Sequence, residues 1–287
     1  MSANSALIRV AAVQMEPRLG DVSANRAAIL HKLREAATAG ARLVVFPECA
    51  LTGYGFASKA EALEHAEPIP GPSVRQVASA CAELGGGGVC AVFGLLERDG
   101  PRLFNACVLV NESGLIGSYR KIHLPFLGVD RFADPGDRPF AVHEAAGIRI
   151  GMHICYDGSF PESGRVLALL GADILVLPTN WPTHSECAAE HMMACRAMEN
   201  VVYAMAVNRV GEESGFRFIG RSSIANPKGE IVASAGALAE EIVYAEVDPA
   251  QARQKRQVRV QGKHEIDRMA DRRPRFYERI VAPNGRD

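Results

Sequence analysis

Tryptophan occurs once in 287 residues and aromatics make up only 6% of the chain, so its arginines carry none of the stacking-aromatic pattern of a nucleic-acid surface. No window holds the ~18 apolar residues of a membrane span. The N-terminal MSANSALIRVAAVQ has no basic region followed by a long apolar run, and the expected location is cytoplasmic. Seven cysteines form no C-x-x-C pair and are odd in number. Neither a zinc ribbon nor a disulfide framework is indicated, and the thiols are expected to be reduced. G-x-S-x-G is missing, so a serine hydrolase has no nucleophile elbow. The glycine run 85–88 lacks a following Lys-Ser/Thr, and Gly53-Tyr54-Gly55 lacks the third glycine of a dinucleotide fingerprint. No cofactor and no metal are expected.

What is present is an ordinary globular composition, 48% hydrophobic and 23% charged, with neither a repeat nor a low-complexity linker. One domain over 1–287 is the simplest reading. The net charge is −1, yet residues 250–287 hold 11 Lys/Arg against 5 Asp/Glu, a tail of +6 on a body of −7. Acids interspersed through that tail (Glu265, Asp267, Asp271, Glu278) make a solvated or subunit-crossing segment the better reading than a nucleic-acid surface.

Taken in order, Ile8–Gln14 reads as a strand and Ser23–Ala39 as a helix capped by Ser23 and stopped by Gly40. Leu43–Phe46 is a continuous apolar run, the mark of a strand covered on both faces, and it ends in Pro47-Glu48. Pro70–Ser73 opens a second helix bearing Val74, Val77, Ala78, Cys81 and Leu84. Strands follow near 89–97, 103–110 and 115–120, then YRKIHLP at 119–125 and an irregular stretch. Asp173–Leu177 and Val201–Asn208 read as strands. Thr183 and Glu186 have capping-box spacing before a helix to about Asn200. Later strands are expected at 216–225, 230–234 and 241–247.

The centre of this pattern is GIRIGMHICYDGSFPESGR, residues 147–165. Ile148, Ile150, Met152 and Ile154 alternate as in a strand, Cys155 follows, and Phe160-Pro161-Glu162 starts a helix. Helical N–H groups beside the thiol would favour a thiolate and an oxyanion. A core cysteine fits the same pattern. Glu48 and Lys121 likewise sit at or just past strand ends. Each has a bland reading too, Glu48 as a helix cap or arginine partner and Lys121 as a solvated strand end. Together, Glu, Lys and Cys offer a base, a cation and a nucleophile without a histidine.

Several segments bring these residues into one resemblance: VVFPE at 44–48, YRKIHLP at 119–125, PGD at 135–137, ICYD with FPE at 154–162, LPTNW at 177–181, RAMEN at 196–200 and DRRPRFY at 271–277. The chain resembles the nitrilase superfamily of carbon–nitrogen hydrolases over nearly its whole length. That resemblance implies an α/β fold, an αββα sandwich of two mixed sheets flanked by helices, in a homodimer or higher homo-oligomer with the 250–287 tail at the subunit interface. It implies Cys155 as nucleophile, Glu48 as general base and acid, Lys121 as the cation at the tetrahedral intermediate and the Tyr156 N–H in the oxyanion hole. Many members carry a second glutamate between the lysine and the PGD element. Here Asp130 is the nearest candidate, to orient Lys121 or substrate, with Asp134 behind it. Tyr54, Phe126, Phe160, Asn180 and Trp181 are expected near the pocket, with His123 and His153 shaping it.

Cys155-Tyr156-Asp157 is more similar to the amidase-like branches than to nitrilases with Cys-Trp-Glu, so hydrolysis of a small-molecule carboxamide is expected. The alternatives are N-carbamoyl hydrolysis, nitrile hydrolysis, or a binding protein on the same fold. Cys187, His191 and Cys195, at i, i+4 and i+8, have a metal-like spacing but are expected on a half-buried helix face.

Overall fold

The computed structural model describes residues 7–85 and 88–282; Gly86 and Gly87 of the glycine run, the first six residues and the last five of the basic tail lie outside them. The chain opens with β1 (Ile8–Gln14), α1 (Val22–Thr38) and β2 (Leu43–Val45), then α2 (Lys59–His65) and α3 (Pro72–Glu83). β3 (Cys90–Asp99), β4 (Arg102–Asn111) and β5 (Gly114–Arg120) form a meander. β6 (Val142–Ala145) and β7 (Ile148–Met152) lead to a 3-10 turn at Cys155–Ser159 and α4 (Pro161–Leu169). β8 (Ile174–Thr179), α5 (Glu186–Asn200) and β9 (Tyr203–Asn208) follow, with a two-residue hairpin of β10 (Glu212–Glu213) and β11 (Phe216–Arg217). β12 (Ser223–Ala225), β13 (Ile231–Ser234) and β14 (Glu241–Val247) complete the sheets. The tail holds α6 (Pro249–Arg253), a hairpin of β15 (Arg256–Val260) and β16 (His264–Asp267), and α7 (Glu278–Val281).

Two six-stranded sheets result, ordered β14-β1-β2-β3-β4-β5 and β13-β12-β9-β8-β7-β6. β1, β2 and β3 are parallel, as are β7, β8 and β9. Parallel neighbours need long crossovers, and helices α1, α3, α4 and α5 lie on those crossovers. Alternation then sorts the first sheet's side chains. Val10, Ala12, Leu43, Val45 and Val92 enter the core shared with Ile148, Ile150, Met152 and Ile174. Ala11, Val13, Val44, Ala91 and Phe93 pack on Ile29 and Leu33 of α1 and Val74 and Val77 of α3. Leu167 of α4 and Ala189, Met193 and Ala197 of α5 join the second sheet's buried residues. The expected α/β sandwich of two mixed sheets flanked by helices is the fold found.

Local details differ from the sequence reading. Asp21 rather than Ser23 caps α1, its Oδ1 accepting from Ala24 N at 3.0 Å. Ser185, not Thr183, precedes α5, and the Thr183–Glu186 box is not formed: the Thr183 N–H donates to Arg217 O at 2.9 Å. The stretch 216–225 splits into β11 and β12. α2 and β6 were not expected, α2 because its seven residues carry little periodicity and β6 because only four residues pair. Cys187, His191 and Cys195 face solvent rather than lying half-buried, and no group of three His, Cys, Asp or Glu suited to a metal occurs among the described residues. No helix among them is long and apolar enough to cross a membrane.

Candidate active site

Strand direction brings the expected residues to one end of the sandwich. β4 is antiparallel to β3 and β5 antiparallel to β4, so β5 points the same way as β2. Glu48, just past β2, and Lys121, just past β5, therefore share one end of the first sheet, where sites collect in layered α/β folds. On the second sheet β7 ends at Met152, with Cys155 three residues beyond it, and β8 and β9 end at Thr179 and Asn208.

Lys121 Nζ donates to Glu48 Oε1 at 2.7 Å and to Asp130 Oδ2 at 2.5 Å, with all three side chains fully buried. Asn105, in β4, gives Nδ2 hydrogen bonds to Glu48 Oε1 at 2.7 Å and Asp130 Oδ1 at 2.8 Å. The Tyr54 hydroxyl donates to Asp130 Oδ2 at 2.8 Å. Asp130 is thus engaged by three donors. Glu48 Oε2 is buried and has no partner among the described residues.

Burial alone would lower the Lys121 ammonium, but the Asp130 and Glu48 carboxylates outweigh it and hold the cation well above the usual lysine range. Burial raises the Glu48 carboxyl above its usual value, against the pull of Lys121 and Asn105, and the charge of Asp130 adds to the rise. Burial, then the charge of Glu48, push the Cys155 thiol up to about 12. Lys121, the Thr179 hydroxyl and the Asn180 backbone N–H oppose that rise. The Thr179 hydroxyl has no bond of standard geometry, so its contact with the sulfur is long or bent.

Cys155 has φ 46°, in the left-handed region. A side chain there costs about 1 kcal/mol or more and persists only where the surroundings fix it. Asp157 does the fixing: its Oδ2 accepts from Ile154 N at 2.9 Å and Tyr119 Oη at 2.8 Å, and its Oδ1 from His123 N at 3.1 Å, with His123 Nδ1 at 2.7 Å. Burial would raise Asp157, but the His123 and Ile154 contacts hold it below the usual carboxylate range. α4 starts at Pro161, where Phe160-Pro161-Glu162 was expected to open a helix, and a 3-10 turn at Cys155–Ser159 lies between the thiol and that helix. The first N–H groups of such a turn have no acceptor within it, and Tyr156 N–H is among them.

The turn after β2 depends on Gly94. A Cβ there would lie 2.4 Å from Cys49 N, 2.6 Å from Pro47 O and 2.7 Å from Glu48 Cα, all backbone that cannot swing away. Gly94→Ala is expected to displace Glu48, costing about 1–3 kcal/mol of stability and at least about tenfold in turnover for a shift near 1 Å. Thermal melts beside steady-state rates check it. The PGD segment serves Lys121 similarly: Gly136 N donates to Lys121 O at 2.8 Å, and Asp137 Oδ1 accepts from Arg120 at 2.9 Å. Arg120 turns away from Lys121 to pair with buried Glu97 at 2.7 Å.

Among the expected pocket residues, Tyr54 is buried against Asp130, and Asn180 and Trp181 are buried on the turn after β8. Both polar atoms of the Asn180 amide lack a partner among the described residues. The Phe160 ring stacks on His123 at 3.7 Å. Phe126 departs from expectation: it is 90% exposed, and the Arg131 guanidinium lies 5.9 Å from its ring. His153 is held neutral by burial, down to about 4, with Nδ1 3.1 Å from Ser163 Oγ. Asp134 pairs instead with Lys59 at 2.7 Å. Sequence reasoning missed Asn105 and Gly94. Their signal was a polar residue and a glycine inside otherwise apolar strands.

Residues 9–257 match the carbon-nitrogen hydrolase family. A nitrilase from Pyrococcus abyssi is 39% identical over 274 residues, covering 95% of this chain and all of the relative. An N-carbamoylputrescine amidase from Solanum lycopersicum is 32% identical, over 99% of this chain and 98% of the relative. Among solved structures, a double mutant of an amidase from Nesterenkonia sp. AN1 in complex with acrylamide has a TM-score of 0.80 and 21% identity, over 98% of this chain and 100% of that one. That structure shares the fold. Matched over most of its length and aligned nearly end to end with such relatives, the chain belongs to the carbon–nitrogen hydrolase family.

Proposed function

We propose that this hydrolase is a cysteine-dependent amidase that converts a small-molecule carboxamide to its acid and ammonia, with Cys155 as nucleophile, Glu48 as base and acid, and Lys121 as the oxyanion's cation. The observation that carries this reading is the buried Lys121, bonded to Glu48 and Asp130, with Cys155 beside them in a left-handed turn. An ammonium has three hydrogens. Two go to the carboxylates, and the third is available to a carbonyl oxygen that gains charge, together with the Tyr156 N–H.

A thiol titrating near 12 holds little thiolate at neutral pH, so its proton leaves as the sulfur attacks. Glu48, whose carboxyl burial raises and so makes a stronger base than an exposed glutamate, accepts it. The S–C bond forms, Glu48 passes the proton to the departing nitrogen, and the C–N bond breaks to leave a thioester and ammonia. Water then gives a proton to Glu48 and its hydroxyl to the acyl carbon, the S–C bond breaks, and Glu48 returns the proton to the departing sulfur, restoring the thiol as the acid leaves. Asp130, saturated by Lys121, Tyr54 and Asn105, orients Lys121 rather than substrate. Asn180's unpartnered amide is our candidate for a polar contact to substrate, with Tyr54, Trp181 and Phe160 as its apolar surroundings.

N-carbamoyl hydrolysis is the second reading, favoured by the relative so named. The test is ammonia release from aliphatic and aromatic amides, ω-amides, N-carbamoyl amino acids, N-carbamoyl amines and nitriles, with Cys155→Ala beside the wild type. Cys155-dependent release from carboxamides alone supports the amidase. Release from N-carbamoyl compounds or nitriles alone replaces it with that activity, and silence from folded protein favours a binding role.

We also propose that copies associate through α4 and the basic tail. Leu169 and Leu170 at the end of α4 are 47% and 52% exposed, and Phe276, Ile280 and Val281 in the tail are 70%, 59% and 84% exposed; Leu169, Ile280 and Val281 line one groove, and apolar side chains gathered in the open mark an interaction surface. Sedimentation should give a dimer or larger species, reduced on removing residues 250–287. A monomer at micromolar concentration overturns the association.

A further inference from the structure

The mechanism leaves open which oxygen of Glu48 moves the proton, and Asn105 bears on that choice. It is 1% exposed, in a strand whose neighbours Phe104, Ala106 and Cys107 are buried and apolar. Its single NH2 group donates to two carboxylates, Glu48 Oε1 at 2.7 Å and Asp130 Oδ1 at 2.8 Å. Its Oδ1 lies 3.6 Å from Cys49 Sγ. Burial, reinforced by Glu48, keeps that thiol protonated. The thiol therefore donates and fixes which end of the amide faces the carboxylates. Asn105 O also accepts from Lys121 N at 2.8 Å. One residue thus touches all three charged members of the cluster.

We infer that Asn105 is a positioning residue that pins Glu48 through Oε1 and leaves Oε2 as the oxygen that takes the Cys155 proton. This role rests on Glu48 being the base. Two donors, Lys121 and Asn105, converge on Oε1, while Oε2 is buried with no partner. A carboxylate held by Lys121 alone could rotate to share its oxygens, and the bare oxygen would lose its fixed direction. The same NH2 group holds Glu48 and Asp130 apart at fixed geometry while donating a hydrogen to each, which favours ionised Glu48. Its removal raises the Glu48 carboxyl.

The test measures the rate of Cys155 alkylation by iodoacetamide against pH, followed by mass spectrometry, so it needs no knowledge of the natural substrate. Wild type, Glu48→Gln, Asn105→Ala, Asn105→Asp and Asn105→Ser are compared, with kcat/KM profiles on the best substrate alongside. Serine supplies one donor in place of two and keeps the test available if alanine fails to fold. In the wild type the rate should rise along an acid limb that Glu48→Gln abolishes. In Asn105→Ala and Asn105→Ser that limb should move up by about one pH unit, the size of one lost hydrogen bond. Asn105→Asp should move it at least as far, and kcat should fall about tenfold or more with KM little changed. A residue that merely fills space would lower rates without moving the limb. A limb abolished by Glu48→Gln but unmoved in every folded Asn105 variant overturns the role of Asn105 alone. A limb that survives Glu48→Gln overturns Glu48 as base, and the role of Asn105 with it.

Discussion

Cys155→Ala is expected to lower turnover by at least about 10⁴-fold, the scale seen when a nucleophile is removed from a cooperating set, while leaving the melting temperature nearly unchanged. The second half follows from backbone geometry. Cysteine and alanine both carry a Cβ, so both bear the strain of φ 46°, and the network that holds the turn belongs to Asp157, Tyr119 and His123 rather than to the sulfur. The first half follows from chemistry, because neither Glu48 nor Lys121 can form the acyl bond. Ammonia release and a thermal melt on the same preparation check both. A variant retaining a tenth of wild-type turnover would remove Cys155 from the mechanism.

The thiol's environment adds a second expectation for the same residue. Burial and Glu48 place it near 12. If free thiolate were the attacking species, the rate would rise about tenfold per pH unit through the alkaline range. With Glu48 taking the proton during attack, the rate should level off once Glu48 is ionised. A plateau above the acid limb supports base catalysis, and a continued rise in folded enzyme contradicts it.

The parts readable from the sequence are those whose local pattern fixes the chain. Leu43–Val45 is apolar on both faces because β2 has the second sheet on one side and α1 and α3 on the other, so its end, and hence Glu48, was visible. Ile148–Met152 alternates, and Cys155 follows it. The meeting of Glu48, Lys121 and Cys155 was not readable, since it depends on β5 running parallel to β2 through β4 and on two sheets packing face to face. Asn105 was hidden for a related reason. Nothing within a few residues of it marks a site, and its partners are 57 and 25 residues away. Phe126 follows a motif as Cys155 does, but the loop that carries it leaves its ring exposed, which no local pattern marks.

Lys121→Met is expected to abolish measurable turnover and to destabilise the fold by about 3–5 kcal/mol at pH 7.5, the usual cost of stripping one partner from a buried ion pair. Glu48 and Asp130 would be left fully buried without their cation, and two carboxylates sharing a dry site push each other's affinity for protons up. The sign of the pH dependence follows. In the variant the folded state binds protons that the unfolded chain releases above about pH 4–4.5, so stability is highest in acid and is lost as pH rises through the raised folded values. Urea unfolding at pH 5.5 and 7.5 should therefore show a larger deficit, relative to wild type, at 7.5. Asp130→Asn in the same background should recover part of it by removing one of the two charges, a non-additive coupling expected of residues in contact. An equal deficit at both pH values, or no recovery with Asp130→Asn, would mean that Lys121 supports the fold through its methylenes rather than its charge.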